Sequence, residues 1–395
     1  MDQNINSILN RGVENVYPTK EALQKVLASD KKIRIYYGID PTGKLHLGHV
    51  VQLLKLGQLQ KLGHEIIILI GDFTARIGDP TDKKAARKKL TRAEVKAHSR
   101  DYKKVIGRII DIRRAKVRFL HNEKWTNKLT PEDMLELASN FTVSQLLERD
   151  MFQERIKAGK EIYLHEFLYP VFQAYDAVTL DVDMQIGGND QTFNMLAGRT
   201  LMKRLKSKEK FVLTTKMLVD QTGKKMGKTE GNFVPLEDSP IEMFGKIMSW
   251  SDGLIINAFE LLTDVPLDKI AAINKKIESN QLNPRDAKLR LAGEITKLIW
   301  GVEGANKGRE YFTNVFIDKN NPTEIKSISA KNGESLTQLL VREKIINSNS
   351  EVRRLIVQGG IKIDHQTIDD INYNITSDGL LQIGKRTFIN LVITK

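Results

Sequence analysis

The spacing of apolar residues divides the chain into recognisable elements. Ile33 to Ile39 (IRIYYGI) is dominated by β-branched and aromatic residues and stops at Asp40-Pro41-Thr42-Gly43, the pattern of a buried strand followed by a turn. From His49, apolar residues recur at Val50, Leu53, Leu54, Leu56, Leu59 and Leu62, a helical stripe closed by Gly63. Glu65 to Ile70 (EIIILI) reads as the next strand. Strand, turn, helix and strand in immediate succession form a βαβ unit, whose ligand site lies at the carboxyl ends of its strands. This places His46 and His49 at the start of a helix, where backbone N–H groups favour an anion.

Farther along, Asp101 to Arg114 reads as a basic amphipathic helix and Lys116 to Leu120 as a strand. Thr130 then caps a long helical stretch. Its apolar residues Met134, Leu137, Phe141, Leu146 and Leu147 fit either ordinary core or a subunit interface. Leu180, Val182, Met184 and Ile186 alternate as in a strand that ends at Gly187-Gly188, and Asn189-Asp190-Gln191 falls at the following strand-to-helix turn. Residues 240–325 lose strand signals and read as helices, interrupted at Asn283-Pro284 and Asn321-Pro322. From 332 the pattern changes again. Ser350 caps a predicted helix over Glu351 to Gln358 that ends at Gly359-Gly360, and Ile361-Lys362-Ile363 and Phe388 to Val392 supply strands.

Composition narrows the possibilities. The chain has 395 residues, 41% hydrophobic and 28% charged, so it can bury a sizeable core divided among two or three domains. No apolar run approaches the roughly 20 residues needed to span a bilayer, which argues against a membrane role. The N-terminus lacks a basic segment followed by an apolar one, so a cytoplasmic location is expected. The absence of cysteine excludes a disulfide framework, a thiolate zinc site and thiol catalysis. A formal net charge of +13 fits a polyanionic partner or simply solvated basic faces.

Two short motifs carry the chemistry. His46-Leu47-Gly48-His49 puts two imidazoles on one helix face, with Gly48 allowing a nucleotide to approach the backbone. Gln221 to Thr229 (QTGKKMGKT) is glycine-rich and basic, the composition of a loop whose lysines can close on a pyrophosphate as charge moves onto it. Elsewhere, Tyr169, Gln173 and Asp176 share one face of a helix predicted to start near Tyr169, with Pro170 in its first turn.

HLGH and KMGKT resemble the HIGH and KMSKS signatures of the class I aminoacyl-tRNA synthetases. Tyr36 to Thr42 (YYGIDPT), Gly78-Asp79-Pro80, Tyr169 to Asp176 (YPVFQAYD) and Gly188 to Gln191 (GNDQ) look like the bacterial tyrosyl branch of that family. Arg353 to Gly360 (RRLIVQGG) is similar to the small RNA-binding domain named after a ribosomal small-subunit protein. The resemblance implies an α/β protein with three parts. A Rossmann-type parallel-sheet catalytic domain spans 1–235, with a helical dimer-interface insertion at about 120–165 and the signature loop at 221–231. An α-helical tRNA-binding domain spans 236–328, and a small α+β RNA-binding domain spans 332–395. L-Tyrosine, ATP and tRNA(Tyr) would be the partners, in a homodimer. Mg²⁺ would accompany ATP, with no protein metal site evident.

By the same resemblance, Thr42, His46, Gly48 and His49 serve ATP, with His46 near the terminal phosphates and His49 near the ribose. Lys225 and Lys228 hold the pyrophosphate, and Lys83 and Arg87 lie on a loop over the phosphates. Asp79, Tyr169 and Gln173 meet the substrate ammonium, with Asp40 and Gln191 beside them. Tyr36 and Asp176 read the phenol, Gly188 and Asp190 bind the adenylate, and Arg353 and Arg354 contact RNA phosphates. An Asp acceptor and a Tyr hydroxyl satisfy a phenol, whereas phenylalanine leaves both unpaired.

Three positions depart from the family pattern. Gly227 and Thr229 replace serines of the loop signature, and Asp82 stands where glycine is usual. Tyr36 and Tyr37 are adjacent, and on a strand only one is expected to face the pocket. The tryptophanyl branch and a non-catalytic RNA-binding scaffold are the alternatives.

Overall fold

A computed structural model describes residues 2–79, 90–114, 116–219, 233–317, 326–364, 366–384 and 387–394, without the side chains of 2, 3, 150, 317 and 326. Contacts divide the chain into two compact units, Met1–Asn306 and Lys307–Lys395.

The first unit is built on a six-stranded sheet. Its strands are β1 (Val13–Tyr17), β2 (Arg34–Ile39), β3 (Glu65–Ile70), β4 (Val117–His121), β5 (Met184–Gly188) and β6 (Phe211–Thr215), in the order β1-β6-β5-β2-β3-β4. β2 to β6 run parallel, and β1, which the apolar pattern does not reveal, adds antiparallel to β6. Runs such as EIIILI suit a sheet covered on both faces, and Ile66, Ile67 and Ile68 are fully buried. Chain order reverses between β2 and β5, the switch point beside which α/β sheets open a ligand crevice.

Helix Leu47–Lys61 follows β2, as the stripe predicts. Other elements shift. The basic helix predicted over 101–114 is limited to Tyr102–Ile106, because Gly107 caps it and turns follow. The apparent strand from Leu180 starts only at Met184: Leu180 ends a helix, and Asp181 turns the chain through a left-handed φ of 48°. That helix begins at Leu164, not near Tyr169, so Pro170 lies in its interior. Glu166 anchors the earlier start by accepting from the Tyr163 backbone N–H at 3.0 Å and pairing with Arg155 at 2.6 Å.

Thr130 caps helix Pro131–Ala138, but the stretch then breaks into Val143–Leu147 and Asp150–Lys157. Leu137 and Leu146 are buried, and Met134 and Phe141 pack on the core cluster that holds Leu137. The apolar residues left most exposed in this region are others: Leu135, Val143 and Leu164 are 74%, 68% and 77% exposed.

Helices Pro240–Met248, Ile255–Leu262 and Leu267–Glu278 are packed into the same unit as the sheet. Arg11 helps to join them, donating to the carbonyls of Phe259 and Glu260 in the last turn of helix Ile255–Leu262 and of Thr263 and Val265 just beyond it. Pro284 opens a helix to Phe312 that is interrupted at Gly301, and Asn321-Pro322 lies outside the described residues.

The second unit is α+β. Strands Lys326–Lys331, Ile361–Ile363, Gln366–Thr367, Gly379–Ile383 and Thr387–Thr394 form a five-stranded sheet. Helices Leu336–Arg342 and Asn349–Val357 contribute Leu339, Leu340, Val352 and Ile356 to its core. Ser348, not Ser350, caps the second helix, its hydroxyl accepting from the Glu351 N–H.

Candidate active site

A cavity of about 390 Å³ opens at the carboxyl ends of β2, β3 and β5. It is lined by Tyr36, Asp40, Thr42, His46, Gly48, His49, Asp79, Tyr169, Gln173, Asp176, Gly188, Asp190 and Gln191, so the structure gathers these sequence candidates into one place. Lys83, Arg87, Lys225 and Lys228, with Asp82, Gly227 and Thr229, lie outside the described residues. Arg353 and Arg354 are exposed on helix Asn349–Val357 of the second unit.

The two histidines cap one helix. His46 is the N-cap of Leu47–Lys61, and its Nδ1 accepts the Gly48 N–H at 3.1 Å, which leaves the ring proton on Nε2. His49 Nδ1 lies 3.2 Å from the His46 backbone N–H. Burial lowers the His49 pKa to about 4, against a hydrogen bond with the His46 backbone that raises it, so its ring is neutral at pH 7. Gly48 is required locally, since a Cβ would meet the His46 ring at 2.8 Å. The chain from Phe233 to Leu236 is tied to the histidine turn. Leu47 N–H donates to Val234 O at 3.1 Å, Leu236 N–H donates to Leu45 O at 2.9 Å, and the Phe233 and His46 rings lie 5.2 Å apart.

On the other side of the cavity a polar network fixes the carboxylates. Asp40 accepts from Thr74 Oγ1 at 2.7 Å and from the Tyr169 hydroxyl at 2.9 Å. Asn122 donates to Thr74 Oγ1 and to Asp176 Oδ2, each at 3.1 Å, and Trp125 Nε1 donates to Asp176 Oδ1 at 2.8 Å. Burial raises the Asp176 pKa to about 7; Asn122 and Trp125 pull it down, while Asp40 and Asp72 push it up. Gly71 leaves room for this network, because a Cβ there would lie 2.0 Å from Asp40 Oδ1. Gln191 donates to Asp79 Oδ2 at 2.7 Å, and the buried Arg149 stands 3.7 Å from Asp79 Oδ1. A Cβ on Gly188 would meet Asp190 Oδ1 at 2.6 Å.

Both Tyr36 and Tyr37 border the cavity, contrary to the expectation that only one does. They point to opposite faces of β2, but the cavity wraps around the sheet's carboxyl edge. Tyr36 packs with Ala174 and Ala177 near Asp176, whereas the Tyr37 hydroxyl is 3.5 Å from Gln52 of helix Leu47–Lys61.

Sequence reading missed Thr74, Asn122, Trp125 and Gln185. Thr74, Asn122 and Trp125 lie just past the ends of β3 and β4, the position that the carboxyl-end rule itself marks. Two buried polar atoms bordering the cavity, Tyr36 Oη and Gln173 Oε1, have no hydrogen-bond partner among the described residues. Four aspartates line it, which favours a cationic group. The described residues contain no cluster of three or more acidic or histidine side chains able to hold a metal ion.

A parallel sheet with a capped HLGH turn at its switch point is the architecture of a class I tRNA synthetase, and comparison with known proteins agrees. The family described as tRNA synthetases class I (W and Y) matches residues 28–316, and the S4 domain matches residues 335–379. Tyrosine–tRNA ligase of Thermotoga maritima is 40% identical over 97% of this chain and 96% of its own. That of Haemophilus ducreyi is 40% identical over the full length of both. A tyrosyl-tRNA synthetase from Archaeoglobus fulgidus complexed with L-tyrosine shares the fold, with a TM-score of 0.60 and 23% identity over 78% of this chain and 99% of that one. The chain belongs to the tyrosine–tRNA ligase family of class I tRNA synthetases.

Proposed function

We propose that the cavity binds L-tyrosine and ATP together, joins them as tyrosyl-adenylate with release of pyrophosphate, and then passes tyrosine to the 3′-terminal adenosine of tRNA(Tyr). The protein is an aminoacyl-tRNA synthetase that charges tRNA with tyrosine. The observation that carries the assignment of the site is the pair of unfilled buried atoms, Tyr36 Oη and Gln173 Oε1. A phenol and an ammonium group are the substrate features that complete them.

In this reading Tyr36 and Asp176 hold the phenol, and Asp79, Tyr169 and Gln173 hold the ammonium. Asp40 acts through Tyr169, whose hydroxyl it accepts, and Gln191 acts through Asp79. The substrate carboxylate attacks the α-phosphorus of ATP, a P–O bond forms, and the bond to pyrophosphate breaks. No covalent enzyme intermediate is required, so the protein contributes orientation and charge stabilisation. His46 offers its Nε2–H to the phosphates at a helix N-terminus, Thr42 and Gly48 flank them, and Gly188 and Asp190 meet the adenylate. Lys225, Lys228, Lys83 and Arg87 take the pyrophosphate by resemblance alone. Magnesium enters as the counter-ion of ATP and is held chiefly by its phosphates.

The same reading gives residues 1–235 the chemistry, and gives 236–328 and 332–395 to tRNA, with Arg353 and Arg354 on phosphates. The exposed Leu135, Val143 and Leu164 support a homodimer formed through the 120–165 insertion. No helix among the described residues is long and apolar enough to cross a membrane, and a cytoplasmic location fits the reading. Incubation with labelled L-tyrosine, ATP and tRNA(Tyr) tests it. Tyrosyl-tRNA is expected, and charging with tryptophan instead would move the protein to the sister branch.

A further inference from the structure

Arg108, just past helix Tyr102–Ile106, ties two distant parts of the first unit together. Its Nη1 donates to Leu236 O at 2.7 Å, and its guanidinium lies over the Trp300 ring, 3.9 Å from the ring centre. Trp300 belongs to helix Pro284–Phe312 and directly precedes the interruption at Gly301. Its indole N–H is buried and finds no acceptor among the described residues, so the flat face of the ring is what it offers. Gly304 leaves room for it, since a Cβ there would come within 2.5 Å of the Trp300 Cβ.

Leu236 is fully buried, and among the described residues Arg108 is the one donor to its carbonyl, a group that burial obliges to be paired. The Leu236 N–H is used on the histidine turn instead. It donates to Leu45 O, Val234 O accepts from the Leu47 N–H, and His46 and Pro235 form an antiparallel bridge between those two bonds. Glu237 adds an ion pair with Lys44 at 2.8 Å. Residues 44–47 are therefore held along their length by residues 234–237, and that segment is held in turn by Arg108. The tyrosine end of the cavity hangs on separate contacts, since the network of Asp40, Thr74, Asn122, Trp125 and Asp176 includes none of these residues.

We propose that Arg108 is a positioning residue for ATP: clamped by Trp300, it holds residues 234–237 against the HLGH turn and so keeps His46 where its Nε2–H meets the phosphates. This rests on the assignment of His46 to ATP. The same contacts join the ATP end of the cavity to helix Pro284–Phe312, a part of the chain that the proposed function gives to tRNA. A small displacement of a positioned donor is costly to a reaction that depends on orientation, so loosening the clamp falls on ATP and spares tyrosine.

The test is kcat/KM for ATP in tyrosine-dependent pyrophosphate exchange, with tyrosine affinity measured separately by equilibrium dialysis in the absence of ATP. Arg108→Met is expected to lower kcat/KM for ATP about tenfold, the scale of one hydrogen bond from a charged donor, and to leave tyrosine affinity unchanged. Arg108→Lys, which keeps a charged donor for Leu236 O, should recover part of the loss. Trp300→Ala should cost about threefold, and Trp300→Phe less, because a flat ring remains under the guanidinium. In the Arg108→Met background Trp300→Ala should add nothing. Trp300→Ala decides the matter if Arg108→Met does not fold. An unchanged kcat/KM for ATP, a tyrosine affinity that falls in step with it, or losses that simply multiply in the double variant would overturn the positioning role. His46→Gln separates the two layers: if it lowers kcat/KM for ATP while Arg108→Met does not, the positioning role alone fails. If His46→Gln leaves that constant intact, the assignment of His46 to ATP fails and the role of Arg108 with it.

Discussion

Trp125 Nε1 donates to Asp176 Oδ1 across 2.8 Å, so a residue just past the end of β4 holds a carboxylate that lines the cavity. Together with Asn122 it stabilises the ionised carboxylate against a burial that opposes charge. A hydrogen bond to a charged group contributes about 1.5–3 kcal/mol. Trp125→Phe removes that donor while keeping an aromatic ring, so KM for tyrosine should rise about tenfold or more, with KM for ATP nearly unchanged. Steady-state pyrophosphate exchange reads both constants, and an unchanged KM for tyrosine would detach Asp176 from substrate recognition.

The elevated Asp176 pKa makes recognition pH-dependent. Its folded value of about 7 lies above the ordinary carboxyl value, so the fold favours the protonated form. The stability this group contributes is complete below about pH 4 and is lost as pH rises toward about 7. Substrate binding has the opposite sign, because the ionised carboxylate is the better acceptor for a phenol proton. KM for tyrosine should therefore fall between about pH 6 and about pH 8, and Asp176→Asn should flatten that dependence. His49, with a pKa of about 4, does not titrate in this window. Parallel pH profiles for the parent and the variant would assign the ionisation elsewhere.

Much of this site was legible in the sequence because its residues follow a strand and open a helix, and both signals are local. His46, His49, Asp190 and Gln191 were placed by that rule alone. What stayed hidden depends on contacts between distant segments. The apolar alternation from Leu180 looked like a strand because a left-handed turn at Asp181 leaves no mark on periodicity. Asn122 and Trp125 gain their meaning only from the 51 or more residues that separate them from Asp176 being folded back upon it. Arg108 reads as one more basic residue in a basic chain until Trp300 is found beside it.

Lys225 and Lys228 belong to the assignment made by resemblance, and their test is kinetic. Replacing both with Ala should slow single-turnover adenylate formation by about a hundredfold or more while leaving tyrosine affinity nearly intact, since the lysines meet charge that develops on the leaving group. A normal single-turnover rate would refute the clamp.

The second unit has its own hydrophobic core, so its removal should leave the first intact. Deleting residues from 326 onward should spare tyrosine-dependent pyrophosphate exchange and weaken charging of tRNA(Tyr), with the loss largest at low salt and shrinking as salt rises, because the phosphate contacts removed are the ones that salt screens. Equal charging by the full and shortened chains would give the module another task.

In the proposed function one cavity both selects tyrosine and joins it to ATP. Pyrophosphate exchange measured with each of the twenty amino acids in turn addresses both halves at once. ATP formation is expected to depend on L-tyrosine and to be orders of magnitude weaker with phenylalanine or tryptophan. Exchange driven by tryptophan, or absent with every amino acid, would contradict it.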